Sequence, residues 1–405
     1  MSRFNNRLHP HASTNRDIHN GNSLPEREAM DYPEAIIKCV APIRICDLGG
    51  WTDTWFAERG CVLNIAVFPS VEVTVRTRKR EQGEPQITIF AENYNDRYDI
   101  QTKPRAWRKH PLIEAAFRLF KLPGDLHLGV TIFSEAPAGA STGTSAAVSV
   151  ALLGAMDLLA GRSLTSHEIA SKAHYIESKL LGIQSGIQDQ ISSAYGGINF
   201  IEMTNYPQAS VSPITLDEQL AWELESRLVV IYLGAPHSSS AIHEMVIRRL
   251  EQSSGYRRHL QPLREAALAG KNALLQGDLD FFGRAMVANT EAQKMLHPEL
   301  IGQRANMVIA VAREHGVVGY KVNGAGGVGG SVTLLVKGGG SEKHDLIRSI
   351  ERAYPEFRQI PVLLAPPGLR RWLSSEVEPI RGAGNRAAED DRRMWGLNGV
   401  RRIAL

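Results

Sequence analysis

Several short stretches of the sequence bring together residue types that can do chemistry. In Pro42-Ile-Arg44-Ile-Cys-Asp-Leu-Gly-Gly50-Trp51-Thr-Asp53-Thr, an Arg, two Asp and an indole follow a strand-like run. Carboxylates accept hydrogen bonds from hydroxyls and aromatic faces cover apolar ring patches, so the mixture suits a sugar. A structural Arg44–Asp53 ion pair beside a core Trp51 is the plainer account. In Glu135-Ala-Pro-Ala-Gly139-Ala140-Ser141-Thr142-Gly143-Thr144-Ser145-Ala-Ala, a small-residue loop joins a strand to an apolar helix. Free amides there converge with a positive helix terminus, and the Thr144 and Ser145 hydroxyls suit a phosphate oxygen or Mg²⁺. The loop lacks the Lys of a Walker A sequence, and a Ser/Thr-rich helix cap is the competing reading. Glu177 lies late in a helix, followed by Gly182-Ile-Gln-Ser-Gly186-Ile-Gln-Asp189-Gln, where Asp189 opens another helix as a reactive acid or as a cap.

Two further stretches read more simply. Asn323-Gly-Ala-Gly326-Gly327-Val-Gly-Gly330 contains a literal GxGxxG. A dinucleotide fingerprint needs a helix after it, whereas Ser-Val-Thr-Leu-Leu-Val at 331–336 is strand-like and no acid follows at the required distance. A glycine turn between two strands, with backbone free to approach a ligand, is expected instead. Pro236-His-Ser-Ser-Ser-Ala-Ile-His243 is explained as a Ser-rich helix start. Taken together, the clusters supply what phosphoryl transfer requires: a phosphate cradle, a metal site, and a carboxylate with a cation at the acceptor hydroxyl.

The elements that must position them follow from periodicity. Strands are predicted at 35–45, 61–78, 87–90, 126–134, 227–233, 319–322, 331–336 and 360–364. Helices are predicted at 111–120, 145–159, 166–180 with Ser166 as cap, 238–252, within 260–282 and 291–314, and at 343–353. The weak stretch 205–213 is the expected domain boundary. This gives a flexible extension at 1–34, an N-terminal domain at 35–205, a C-terminal domain at 206–370 and a tail at 371–405. With 405 residues, 43% hydrophobic and 22% charged, the chain has ample material for such cores. A net charge of +3 with dispersed basic residues argues against nucleic acid. Cys39, Cys46 and Cys61 form no CxxC pair and read as buried thiols in a reducing compartment. The stretch 1–34 has no apolar leader segment, and the most apolar stretch, 146–160, is too short and too polar to span a bilayer. A cytoplasmic location is therefore expected.

Stretches 42–54, 135–147 and 321–330 occur in the order of the three motifs of the GHMP kinases, which the chain resembles over roughly 35–365. The first stretch is most similar to fucokinase, while 182–197 and 238–242 are more similar to D-glycero-D-manno-heptose 7-phosphate kinase. The resemblance implies an α+β fold, with an N-terminal domain like ribosomal protein S5 domain 2 and a ferredoxin-like C-terminal domain. It further implies an ATP- and Mg²⁺-dependent kinase for the anomeric hydroxyl of a sugar or sugar phosphate, acting as a monomer or homodimer. Gly139 to Ser145 would hold the ATP phosphates, and Ser145 and Glu177 the metal. Asp189 would take or orient the sugar proton, paired with Arg44. Gly50, Trp51, Asp53, Gly326 and Gly327, with Asp189, are the candidate acceptor contacts. Where the family has Gly-Leu, this chain has Ser141-Thr142, adding Cβ atoms where phosphate approaches. Another polyol such as a uronic acid or cyclitol as acceptor, or a non-catalytic sugar and nucleotide sensor, are the alternative readings.

Overall fold

The structure, a computed structural model, describes residues 35–100, 107–235, 239–251 and 257–374. The expected extension at 1–34 and the tail beyond 374 lie outside the described residues, as do positions 236–238 of the Ser-rich helix start.

Strands β1 (Ala35–Leu48) and β2 (Gly60–Lys79) are the long antiparallel pair on which the first sheet is built. Val71, Val73 and Val75 alternate along β2 and are fully buried, the period-two pattern of a strand with one face on a core. The sheet continues through β3 (Ile87–Ala91), β4 (Asp96–Ile100) and β5 (Leu126–Ser134) in the order β1-β2-β5-β3-β4, with β3 and β5 parallel. A hairpin of β6 (Ile198–Asn205) and β7 (Gln208–Ile214) pairs with the first part of β2. The second sheet has β8 (Leu228–Tyr232), β9 (Gly319–Val322), β10 (Ser331–Leu335) and β11 (Arg358–Ile360), ordered β11-β8-β10-β9. The chain then returns to the first sheet, where β12 (Leu363–Leu364) pairs with β2 and β13 (Arg370–Ser374) with β1.

Ten helices lie among the described residues. They are α1 (Pro111–Phe117), α2 (Thr144–Leu159), α3 (Ser166–Tyr175), α4 (Gln188–Tyr195) and α5 (Glu218–Arg227), then α6 (Ser239–Glu251), α7 (Arg257–Gln276), α8 (Leu279–Leu296), α9 (Gln303–Glu314) and α10 (Ser341–Ala353). Helix α2 is apolar on nearly every face and packs on β1 and β2, at the centre of the larger core. Gly154 gives it room there, since a Cβ would stand 2.7 Å from Leu369. A second core lies between the second sheet and α9 and α10, around Val308, Val322, Leu346 and Phe357.

The mixed sheets and helices form the expected α+β architecture. Two local expectations are corrected. The α3 cap is Thr165, whose hydroxyl accepts from Glu168 N while the Glu168 carboxylate accepts from Thr165 N, a reciprocal box that Ser166 cannot make one position later. The stretch 205–213 is the turn and second arm of the β6–β7 hairpin, its polar residues facing solvent on an edge strand, so the first sheet extends to Ile214. All three cysteines are buried and free, and burial pushes the thiols up, to about 12 for Cys39 and about 11 for Cys61. No helix among the described residues is long and apolar enough to cross a membrane.

Candidate active site

Arg44 leaves the middle of β1 and is almost fully enclosed, with 4% exposure. Its Nε donates to Asp189 Oδ1 at 2.8 Å and its Nη2 to Asp189 Oδ2 at 3.1 Å, the two-point geometry in which a guanidinium fixes both carboxylate oxygens. Nη1 donates to the Ser141 carbonyl, and the Arg44 amide to the Thr142 carbonyl at 2.9 Å. Although burial opposes its charge, the neighbouring Asp189 and Asp47 carboxylates hold the guanidinium firmly protonated. Asp189 sits in the first turn of α4 with its side chain turned to Arg44, so it does not cap the helix. The cap is supplied from far away in sequence: Gln188 N donates to Asp53 Oδ2 at 3.1 Å.

The small-residue loop closes over this pair. Gly143, at φ +71°, is the N-cap of α2 and, being glycine, brings no side chain of its own to the first amides of that helix. A Cβ on Gly143 would touch the Asp189 carboxylate at 3.2 Å, and one on Gly324 would touch Arg44 Nη2 at 3.2 Å and the Ser141 carbonyl at 3.0 Å. Both glycine loops thus meet at Arg44–Asp189. Ser141 occupies the left-handed region at φ +59°, a conformation that glycine adopts freely and a Ser only with strain. The Thr142 and Thr144 hydroxyls are 3.3 Å apart.

Asp47, next to the site on β1, is the hub of a buried network. Burial works against its charge, but Lys321 and Arg44 outweigh it and hold the carboxyl below the usual range. Asp47 Oδ1 accepts from Lys321 Nζ at 3.3 Å and from Gly324 N at 3.0 Å, and Oδ2 from Gln188 Nε2 at 3.4 Å. Lys321 Nζ also donates to Gln293 Oε1 at 3.2 Å and to the Val322 carbonyl. A parallel chain runs through Asn323, whose Oδ1 accepts from Cys46 N at 3.0 Å and whose Nδ2 donates to Ser331 Oγ at 3.0 Å; Ser331 Oγ in turn donates to the Ala140 carbonyl at 2.6 Å. All three glycine-bearing motifs are stitched together by these bonds.

Residues 111–197 match the model of the GHMP kinases N terminal domain. This segment is a GHMP kinase N-terminal domain. The chain is 26% identical over 357 residues to the bifunctional fucokinase/GDP-fucose pyrophosphorylase of Arabidopsis thaliana, covering 84% of this chain and 33% of the plant protein. It is 24% identical to the D-glycero-alpha-D-manno-heptose 7-phosphate kinase of Campylobacter jejuni, over 78% of this chain and 93% of that one. Among solved structures, a D-glycero-D-manno-heptose 1-phosphate kinase from Bacteroides thetaiotaomicron superposes with a TM-score of 0.65 at 23% identity, covering 83% of this chain and 98% of that one. The fold is the GHMP kinase fold, and the chain spans only a third of the plant relative's length.

Within the GHMP kinase domain, Glu177 lies where α3 widens into a π turn at Ile176–Leu180, an irregularity that commonly marks a functional position. Its Oε2 accepts from Gln190 Nε2 at 2.8 Å, while Oε1 and the neighbouring Ser185 hydroxyl are buried without a hydrogen bond of good geometry. Burial, aided by the charge of Asp189, raises the Glu177 carboxyl to about 7. A buried, uncompensated carboxylate oxygen near Asp189 is suited to a cation, and Mg²⁺ commonly takes one or two protein carboxylates with waters and phosphate oxygens. Ser145 is exposed at the first turn of α2. No larger acidic or His/Cys metal cluster occurs among the described residues.

The remaining predicted contacts are placed less openly. Trp51, at φ +79°, is 6% exposed and packs with Phe56, Val246, Leu260, Leu296 and Leu300, so its indole belongs to a small core under the first motif. Asp53 is buried, and burial together with Asp189 raises it to about 6. Gly50 lies against Asp47, where a Cβ would stand 2.7 Å from Oδ2. Gly326 and Gly327 bring the loop against Leu300, whose carbonyl accepts from Gly327 N at 3.0 Å. The loop joins β9 to β10, as expected for a turn between strands. Asn289 and Gln293 escaped sequence reasoning, and Asp47, Gln188 and Asn323 lay inside the quoted motifs without the roles in the buried network that the structure gives them. The available signal was Asn289, Thr290 and Gln293 on an otherwise buried face of α8.

Proposed function

We propose that the chain transfers the γ-phosphoryl group of ATP, with Mg²⁺, to a sugar hydroxyl, the anomeric one, of a fucose-like or heptose 7-phosphate-like acceptor. The observation that carries this reading is the Asp189 carboxylate, clamped at both oxygens by Arg44 and lying against Gly143, the residue that opens α2. The kinases named among the relatives support the choice of acceptor. In this reading the amides of 143–145 receive the phosphate oxygens, a role that suits the positive end of a helix. The side chain of Asp189 is 26% exposed while that of Arg44 is 5%, so the carboxylate is the member of the pair that meets the acceptor. It takes the hydroxyl proton as the new oxygen–phosphorus bond forms and the β–γ bridging bond breaks, leaving ADP. Mg²⁺, held by Glu177 and Ser145 when bound, supplies charge neutralisation on the phosphates.

A coupled assay of ADP release over a panel of free and phosphorylated sugars tests this. Turnover with a fucose-like or heptose phosphate sugar is the expected result. Turnover only with a uronic acid or cyclitol would reassign the acceptor. Stabilisation by sugar and nucleotide with no turnover would make the chain a sensor and overturn the proposal.

A further inference from the structure

We infer that the buried Asp47–Lys321 pair is a positioning device for the reaction, setting Arg44, and through it Asp189, by fastening the two sheets across the site. The inference rests on the kinase reading proposed above. The side chains of Asp47 and Lys321 are each 1% exposed, so neither is available to a ligand, and Lys321 is not a cation for a substrate phosphate. Their partners show what they do instead. Asp47 belongs to β1 of the first sheet, Lys321 to β9 of the second, and Gln293, whose Oε1 accepts another hydrogen bond from Lys321 Nζ, to α8. Asp47 also accepts from Gly324 N and lies 3.9 Å from Arg44 Nη1. One carboxylate thus touches the acid's partner, the glycine loop beside it and the opposite sheet.

A local irregularity aims Asp47 inward. The β1–β2 register shifts between Ile45 and Leu48, and Cys46 adopts φ +54° with its amide bonded to Asn323. In a regular strand, neighbouring side chains alternate between faces, whereas this bulge lets Arg44 and Asp47 meet. A buried pair of this kind adds little net stability over an apolar replacement, and its best-attested use is to fix one arrangement.

The test is a cycle in the full chain. Wild-type turnover on the sugar panel is measured first, and its absence overturns the kinase reading and this inference with it. With turnover in hand, Asp47→Asn and Lys321→Met should each lower kcat about 10- to 100-fold, with the KM for ATP within about threefold of wild type. In an Arg44→Lys background, Asp47→Asn should cost less than about a further threefold in kcat while the Tm losses add, because Asp47 acts through Arg44. A purely structural role would instead give kcat losses that multiply, or kcat within twofold of wild type, and either overturns the inference alone. Should the charged-pair variants fail to fold, Gln293→Leu removes a Lys321 acceptor without stranding a charge. It should lower kcat at least about threefold, and an unchanged kcat overturns the inference.

Discussion

Replacing the Asp189 carboxylate by an amide removes its capacity to take a proton while keeping its size and one acceptor for Arg44 Nε. Asp189→Asn should bind ATP with near-wild-type affinity, measured by nucleotide titration, and turn over at least about a hundredfold more slowly. Near-normal turnover would show that Asp189 has no proton to move. Glu177 offers a test by pH. Its carboxyl is raised from 4.5 to about 7 by burial, so the folded chain without metal binds a proton that the unfolded chain releases. The associated stability is full below pH 4.5 and is lost as pH rises through about 7. Metal-free protein should therefore melt at progressively lower temperature from pH 5 to 8, with Glu177 accounting for up to about 3 kcal/mol. Glu177→Gln should flatten that slope, and Mg²⁺ with ATP should restore stability at pH 8 in the wild type more than in the variant. At this scale the pairing of Arg44 with Asp189 was legible through the family resemblance, which matched both positions, 145 residues apart, before any fold could place them together. The tie from Asp47 to Lys321 was not, since nothing in a one-dimensional pattern says that a bulge turns this aspartate onto the opposite sheet.

The elements that carry these residues were legible where one force sets them. Leu126–Ser134 was anticipated as a strand because its alternation and β-branched content agree, and the helix after Gly143 because a 16-residue stretch so dominated by apolar side chains allows little else. The strand Asp96–Ile100 was missed, as its sequence Asp-Arg-Tyr-Asp-Ile is a polar edge strand held by pairing to β3 and not by its own pattern. Short α5 was missed for the same reason, its burial confined to Leu224 and Arg227. Long-range packing is sharpest at Gly186, in the loop before α4, where a Cβ would stand 1.9 Å from Asp53 Oδ2. Gly186→Ala must push away either the loop or the carboxylate that caps α4. It should cost about 1–3 kcal/mol in chemical denaturation. Because α4 carries Asp189, kcat should fall more than stability alone explains when measured well below the Tm, and unchanged kcat would show that the loop does not set the position of Asp189.

Across the whole molecule, the chain order hides that the first sheet is completed from its far end. The expected division at 205 followed composition, whereas strand pairing places β12 and β13 back on β2 and β1 after the second sheet is finished. What secures the return is Arg371 of β13, whose Nη1 donates to Asp157 Oδ2 at 2.6 Å and whose Nη2 donates to the Leu164 carbonyl at 3.3 Å. Asp157 is fully buried in α2, and its Oδ1 has no hydrogen bond, so Arg371 is the cation that compensates it. Removing the cation leaves a carboxylate in the core beside Cys39, while Leu164 N still donates to Oδ2 at 3.0 Å. Arg371→Ala should therefore destabilise the protein by about 3 kcal/mol, the low end for breaking a buried pair because Arg371 keeps 24% of its side chain in solvent. Arg371→Ala/Asp157→Leu, which removes both charges, should recover a large part of that loss. The KM for ATP should stay within about twofold in both variants below their melting temperatures, since neither residue touches the site. Equal destabilisation of the single and double variants would show that the last strand is held by its backbone pairing to β1 alone.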